Sequence, residues 1–245
     1  DGAVLVITLN RPRARNAVNA ALARGLAAAV DTLDGDPELA VGVLTGAGGS
    51  FCSGMDLKAF LQGEVPTVEG RGFAGITIAP PEKPVVAAVE GYALAGGCEI
   101  ALACDLIVAA RDAKFGLPEA KRSLVGGAGG LFRLPQRIPR AIAMEYALTG
   151  EFFSAEDAHR WGLVNRLTDP GEALAGALEL ARKITQSGPL AVRATKKIVR
   201  DGGDWPAEER WARQEEIMRP VMTSADAREG ALAFAEKRAP VWSGK

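Results

Sequence analysis

Gly96-Gly97-Cys98-Glu99-Ile100-Ala101-Leu102-Ala103-Cys104 sets one glutamate into an otherwise apolar helix start, and a second follows in Phe115-Gly116-Leu117-Pro118-Glu119. Burying a carboxylate costs free energy unless it is paired or protonated. Two of them beside glycine-rich turns predict a dry site that moves protons. Working outward, Val85–Val89 reads as a buried strand, Gly91 as a turn, and Asp105–Ala110 as the next strand. Further upstream, Val4 to Asn10 alternates as a half-buried strand and Asn19 to Leu33 reads as a helix with Asn19 as its N-cap. Val41–Thr45 is a short strand. Residues 58–83, punctuated by Gly63, Pro66, Gly70, Gly72, Gly75, Pro80 and Pro81, read as a loop-rich segment. From Gly127 the period becomes helical over 127–136, 139–149, 154–161, 172–186, 189–200, 206–221 and 224–238, with Leu163–Leu167 as the one intervening strand. A strand–strand–helix rhythm followed by a helical final third predicts an α/β fold.

The composition narrows the function classes. The chain has 245 residues, formal net charge −1, 48% apolar and 24% charged residues, as in ordinary globular proteins. No long Lys/Arg run marks a nucleic-acid surface, and no apolar run of about eighteen residues predicts a membrane span. The first residues do not read as a signal peptide, and a cytoplasmic location is expected. Cys52, Cys98 and Cys104 form no C-x-x-C pair and read as reduced, buried thiols, so no metal site is expected. His159 is the only histidine, in a capped amphipathic helix where it reads as exposed. That argues against Ser-His-Asp and Cys-His chemistry.

Four segments carry the chemistry. Leu44-Thr45-Gly46-Ala47-Gly48-Gly49 lacks the third glycine of a dinucleotide-binding turn and reads as a tight turn. Phe51-Cys52-Ser53-Gly54-Met55-Asp56-Leu57 has two readings: a helix capped at Asp56, or a Met55 N–H left free to face a cleft. The glycines before Glu99 leave unsatisfied amides at a helix N-terminus, where the dipole attracts negative charge. Glu99 itself reads either as a first-turn acid stabilised by that dipole or as a catalytic group. Pro118-Glu119 reads as an ordinary helix start or as the second acid, with Gly126-Gly127-Ala128-Gly129-Gly130 near enough to bring amides to it. Taken together, two donor loops and two carboxylates make a coherent site for adding water to, or removing it from, an activated double bond.

These segments resemble the crotonase, or enoyl-CoA hydratase/isomerase, superfamily. The matching stretches are Ile7–Asn19 (ITLNRPRARNAVN), Phe51–Leu57 (FCSGMDL), Ala88–Asp105 (AVEGYALAGGCEIALACD), Phe115–Glu119 (FGLPE), Gly127–Leu134 (GAGGLFRL) and Gly162–Asn165 (GLVN), in family order along nearly the whole chain. The resemblance implies a crotonase-like spiral of ββα units over residues 1–190 and a C-terminal helical trimerisation region over 191–245. It also implies a homotrimer or dimer of trimers, an acyl-CoA substrate, and no metal or redox cofactor.

Residue by residue, the resemblance puts the oxyanion-hole amides on Met55 and Gly96 and the catalytic glutamates on Glu99 and Glu119. It gives the amide of Gly127 the task of steadying the second glutamate. Substrate contacts are expected at Ser53, Gly54, Met55, Asp56, Leu57, Gly96 and Gly127. Ala14, Asn16 and Ala17 are expected to meet the CoA, within a segment Arg13–Val18 near its adenine-ribose end, with Lys237 and Arg238 reaching a neighbour's phosphates. Some isomerases and hydrolases of this superfamily lack one acid, so both being present favours hydration of a trans-2-enoyl-CoA. An isomerase with the same fold and a non-catalytic acyl-CoA binder are the other readings. Three positions depart from the usual pattern: Ala95 replaces a glycine, Gly126 stands where proline is frequent, and Met55 where alanine is common. Gly70–Thr77, Leu117–Lys121 and Glu229–Lys245 resemble the crotonobetainyl-CoA (carnitinyl-CoA) hydratases of the superfamily most, which makes Phe73, Trp161 and Glu69 candidates for holding a quaternary ammonium.

Overall fold

The computed structural model describes all residues, Asp1–Lys245. Five strands, β1 (Val4–Leu9), β2 (Val41–Gly46), β5 (Val85–Val89), β7 (Leu106–Ala110) and β10 (Arg166–Thr168), form one parallel sheet in the order β1-β2-β5-β7-β10. Its register sets Val6 beside Val43, Val43 beside Val86, Ala87 beside Ile107 and Ala109 beside Leu167. Between these strands run α1 (Ala20–Gly35), α2 (Leu57–Leu61), the short hairpin β3 (Thr67–Val68) and β4 (Gly72–Phe73), and then β6 (Tyr92–Leu94) with α3 (Gly96–Ala103). A second sheet joins β6 to β8 (Lys114–Gly116) and β8 to β9 (Phe153–Ser154). The helices α4 (Gly130–Arg137), α5 (Arg140–Thr149), α6 (Ala155–Arg160), α7 (Ala173–Thr185), α8 (Pro189–Asp201), α9 (Arg210–Met222) and α10 (Ala225–Glu236) complete the chain.

Both faces of the parallel sheet are covered, which explains why β5 is apolar at every position rather than alternating. Val43, Val86, Ala88 and Val108 face α7, whose Ala173, Ala177 and Ala181 allow close approach. Leu44, Ala87, Val89, Ile107 and Ala109 point the other way into the larger core, which α1 and α3 close. The sheet thereby fixes the end of β5, from which the chain turns at Gly91 into β6 and α3.

Expected element boundaries moved where side chains or turns captured the backbone. Helix α1 starts as expected, with the Asn19 side chain accepting from the Leu22 N–H at 3.0 Å. Strand β7 begins at Leu106, because the Asp105 carboxylate instead accepts from the Val85 N–H at 2.7 Å. Strand β10 begins at Arg166 rather than Leu163, since the Leu163 and Val164 amides close α6 onto the Ala158 carbonyl. The segment 58–83 contains α2 and the β3–β4 hairpin. Helix α9 starts at Arg210 rather than residue 206. Helix α8 is tied back by Lys196, whose ammonium donates to Asp105 at 2.7 Å and to the Lys83 carbonyl at 2.9 Å.

Candidate active site

Two loops meet at the start of α3. The Phe51 and Cys52 amides donate to the Glu90 and Tyr92 carbonyls, both at 2.8 Å, and the Leu94 amide donates to the Cys52 carbonyl at 3.0 Å. Residues 51–54 therefore run alongside 90–94. At Gly54, φ is +99° and a Cβ would lie 2.9 Å from the Ala95 Cβ and 3.2 Å from the Gly96 nitrogen, so only glycine lets the loops touch. Gly97 packs still more closely on the Cys52 carbonyl, whose oxygen lies 2.1 Å from where a Cβ would stand.

The bridge between Val18 and Met55 uses the Gly54 carbonyl and the Asp56 N–H. In extended chain that turns the Met55 N–H to the opposite side, and it donates to no group among the loop hydrogen bonds. The cap at Asp56 forms as expected, and the Met55 N–H is left without a partner. The Asp56 carboxylate caps α2 by accepting from Lys58 and Ala59, and pairs with Arg11 at 2.9 Å. The Arg11 guanidinium holds the Asp56 carboxyl below the ordinary carboxylate range. As first residue of α3, Gly96 has an N–H without an intrahelical partner. Ala95 pays for standing where glycine is usual by adopting φ +50°, ψ −127°, a sparsely populated region for an alanine.

Glu99 lies one turn into α3 and is 3% exposed. Its Oε1 accepts hydrogen bonds from the Ala128 N–H at 2.7 Å and the Gly130 N–H at 3.0 Å. Those amides open α4, so the carboxylate lies at the N-termini of two helices. Glu119 sits in the short helical turn Pro118–Arg122 that follows β8, and its Oε2 is buried without any hydrogen-bond partner. Burial pushes the Glu119 carboxyl above the ordinary range, and the negative charge of Glu99 adds to the effect. The two acids face each other across Gly126, where a Cβ would lie 3.4 Å from Glu99 Oε1 and 3.5 Å from Glu119 Oε1.

Hydrogen bonds define the surroundings of the other expected residues. The glycine-rich turn serves Glu99 and not Glu119, and it does so through Ala128 and Gly130. The Gly127 amide bonds to neither acid, because the turn directs the Ala128 and Gly130 amides inward instead. Asn16 is not free to meet a ligand: its Oδ1 accepts from the Arg11 N–H at 2.8 Å, and its Nδ2 donates to the Ala47 and Ser50 carbonyls at 2.9 and 2.7 Å. It is a buried clip in the left-handed region, φ +57°. Ala17 is buried and its carbonyl accepts from Arg11, whereas Ala14 is partly exposed at the rim beside the exposed Arg13 and Arg15. Arg238 is engaged by Glu229 and Glu236 on its own chain, while Lys237 is exposed.

Ser53 joins this rim to the donor loop, its amide donating to the Arg15 carbonyl at 3.0 Å and its hydroxyl to that of Ala14 at 3.4 Å. Leu57 is exposed next to it. Of the three aromatic and acidic candidates, only Phe73 reaches the site. Its ring lies against Gly96, 2.5 Å from where a Cβ would stand. Trp161 is committed to an aromatic cluster with Tyr146 and Phe153, and Glu69 is exposed on the β3–β4 turn. Beyond Glu119 and Gly126 opens a cavity of about 370 Å³ with Leu124, Val125, Leu131, Leu134 and Met144 in its wall. Arg140 also lines it, and Glu119 is its only carboxylate.

The other reactive side chains stay outside the chemistry. Burial pushes the Cys98 thiol up to about 12, which leaves it inert at neutral pH. His159 is exposed, and its Nδ1 lies 2.8 Å from the Val164 carbonyl. No helix is long and apolar enough to cross a membrane.

A parallel sheet that brings free main-chain amides from two loops alongside a pair of acids is the crotonase arrangement. The sequence profile of the enoyl-CoA hydratase/isomerase family matches residues 1–245, and the chain belongs to that family. It is 47% identical over 253 residues to a carnitinyl-CoA dehydratase of Salmonella typhi, covering 100% of this chain and 97% of the relative. Among solved structures, an enoyl-CoA hydratase from Mycobacterium tuberculosis H37Rv is similar with a TM-score of 0.98 and 62% identity, covering 100% of this chain and 97% of the other. A carnitinyl-CoA hydratase from Mycobacterium avium has a TM-score of 0.80 and 45% identity over the same shares.

Proposed function

We propose that the protein adds water reversibly across the 2,3 double bond of a trans-2-enoyl-CoA. The observation that carries this reading is the apposition of Glu99 and Glu119 across Gly126, beside the unpartnered amides of Met55 and Gly96. The thioester carbonyl would accept hydrogen bonds from those two amides, which stabilise the negative charge developing on its oxygen. One such donor is worth about 10²–10³ in rate. Glu99, oriented by Ala128 and Gly130, takes a proton from the water as its oxygen bonds to Cβ. Glu119, whose raised pKa favours the protonated form, delivers a proton to Cα. One carboxyl gains a proton as the other loses one, and exchange between the acids through water resets the pair. The mechanism needs no group beyond the CoA that the substrate carries.

The cavity beyond Glu119 suits an uncharged acyl tail. Its wall is aliphatic, its one further ionic group is the cation Arg140, and burying a permanent cation there would be costly. Phe73 alone is a sparse seat for a trimethylammonium group, so plain 2-enoyl thioesters are favoured over crotonobetainyl-CoA. The rim at Ala14 and Ser53, with Arg13 and Arg15 beside it, is the proposed CoA mouth. We also propose a trimer or dimer of trimers that covers exposed apolar side chains of the C-terminal helices, among them Trp211, Met222 and Phe234. A cytoplasmic site of action accords with three buried free thiols.

The test is a turnover panel of crotonyl-CoA, longer 2-enoyl-CoAs and crotonobetainyl-CoA, followed by loss of the enoyl-thioester absorbance. Hydration of the plain thioesters is expected. Binding without absorbance loss would make the protein a non-catalytic binder. Conversion of a 3-enoyl-CoA by Glu99→Ala at the wild-type rate would make it an isomerase that works through Glu119 alone.

A further inference from the structure

Arg133, on the second turn of α4, forms none of the ion pairs in the structure, although it is partly buried. Its guanidinium spans two segments that both reach the site. Nη1 donates to the Ala128 carbonyl at 3.2 Å, and Nη2 to the Thr77 carbonyl at 2.5 Å. On the first side, the Ala128 N–H holds the Glu99 carboxylate. On the second, the Thr77 hydroxyl donates to the Phe73 carbonyl at 3.2 Å, and the Phe73 ring lies on Gly96. The chain of contacts therefore starts at Glu99 and ends at Gly96, two residues of the same helix, with Arg133 as the piece that closes the ring.

The position is built for this side chain. At Gly129, φ is +99° and the Arg133 guanidinium fills the space a Cβ would need. The charge is desolvated, which pulls its pKa below the usual arginine value, with Arg137 nearby adding to that pull. A long cation held on two carbonyls instead of a carboxylate is an expensive way to stabilise a fold. A planar fork, however, binds two carbonyls of fixed spacing better than any other side chain.

We infer that Arg133 is a positioning residue that locks the Glu99-orienting turn (residues 128–130) to the loop that seats Phe73 on Gly96 (residues 72–77), so that base and oxyanion hole hold one fixed geometry. The substrate assignment rests on the reaction proposed above; the coupling of the two segments does not. A shift of about 1 Å in such a constellation costs on the order of 10² in rate, and the loss should fall on kcat rather than on CoA binding.

The experiment compares wild type with Arg133→Met, Arg133→Lys and Arg133→Ala. Hydrogen exchange read by mass spectrometry should speed up in Arg133→Met at both 126–132 and 72–78, with the circular dichroism spectrum unchanged. Its kcat for crotonyl-CoA should fall by about 10², with KM within about threefold. Arg133→Lys, with one ammonium for two carbonyls, should restore only part of kcat, and millimolar guanidinium should raise the kcat of Arg133→Ala. Wild-type kcat in Arg133→Met, or faster exchange confined to 126–132, would overturn the inference. Should Arg133→Met fail to fold, the Lys variant decides: full wild-type kcat and exchange there would overturn it as well. If wild type itself hydrates no enoyl-CoA, the reaction is wrong, yet the exchange coupling still stands or falls on its own.

Discussion

Replacing Glu119 with glutamine should make the protein more stable and nearly inactive, with a pH signature that ties both effects to one carboxyl group. Oε2 of Glu119 is buried without a partner, and burial together with the Glu99 charge raises its pKa. The folded chain thus holds this proton more tightly than the unfolded chain, whose glutamates titrate near ~4.3. The resulting destabilisation is fully present above the raised folded pKa and disappears as the pH falls below the unfolded value. Glutamine is neutral throughout and escapes it. An unsatisfied buried polar group costs about 1–3 kcal/mol and a charged one more; glutamine keeps the first part and sheds only the excess, which the partial exposure of Glu119 holds to about 1 kcal/mol. In a chain of this size that raises Tm by about 2–4 °C. Calorimetry of both proteins from neutral pH down to about pH 4 should show the advantage shrinking with acidity. Crotonyl-CoA turnover at neutral pH should fall by at least about 10². A variant that melts below wild type at neutral pH, or keeps its advantage unchanged in acid, would refute the desolvation argument. Retained turnover would refute the acid role.

Gly130→Ala places a Cβ 2.9 Å from Glu99 Cγ and 2.9 Å from a Leu117 methyl, so Glu99 must move off the Ala128 and Gly130 amides. Steady-state kinetics should show kcat down by about 10² with KM for crotonyl-CoA little changed, and an unaltered kcat would mean that Glu99 tolerates the shift. Lys196→Met leaves the Asp105 carboxylate without its charge partner where α8 meets the sheet. Urea unfolding should show a loss of about 3 kcal/mol, and Asp105→Asn in the same chain should recover part of it; no loss would mean that solvent already carries the pair.

Much of the site was legible in the sequence because its parts are short and local. Glycines before Glu99 and proline before Glu119 mark helix starts, and Asp56 and Asn19 mark caps, whatever the rest of the chain does. What stayed hidden was which amide meets which acid. Ala128 and Gly130 are 29 and 31 positions from Glu99, and no spacing rule distinguishes that pairing from one with Glu119. Phe73 was visible only as one of three candidates. Trp161 fits the same chemistry on paper but is held in the core by Tyr146 and Phe153. Asn16 read as a ligand contact because a polar residue in a turn has donors to offer, and only the structure shows all of them taken.

By itself the sequence determined the α/β class and the helix starts and caps around Glu99, Glu119 and Asp56, because periodicity, caps and glycine turns act over a few residues. Tertiary structure alone decided that Glu99 is held by two amides while Glu119 Oε2 is left bare, that the Phe73 ring lies on Gly96, and that Arg133 bridges the Ala128 and Thr77 carbonyls. Burial and hydrogen-bond partnership depend on which distant segments the sheet brings into contact, and a chain carries no local record of that.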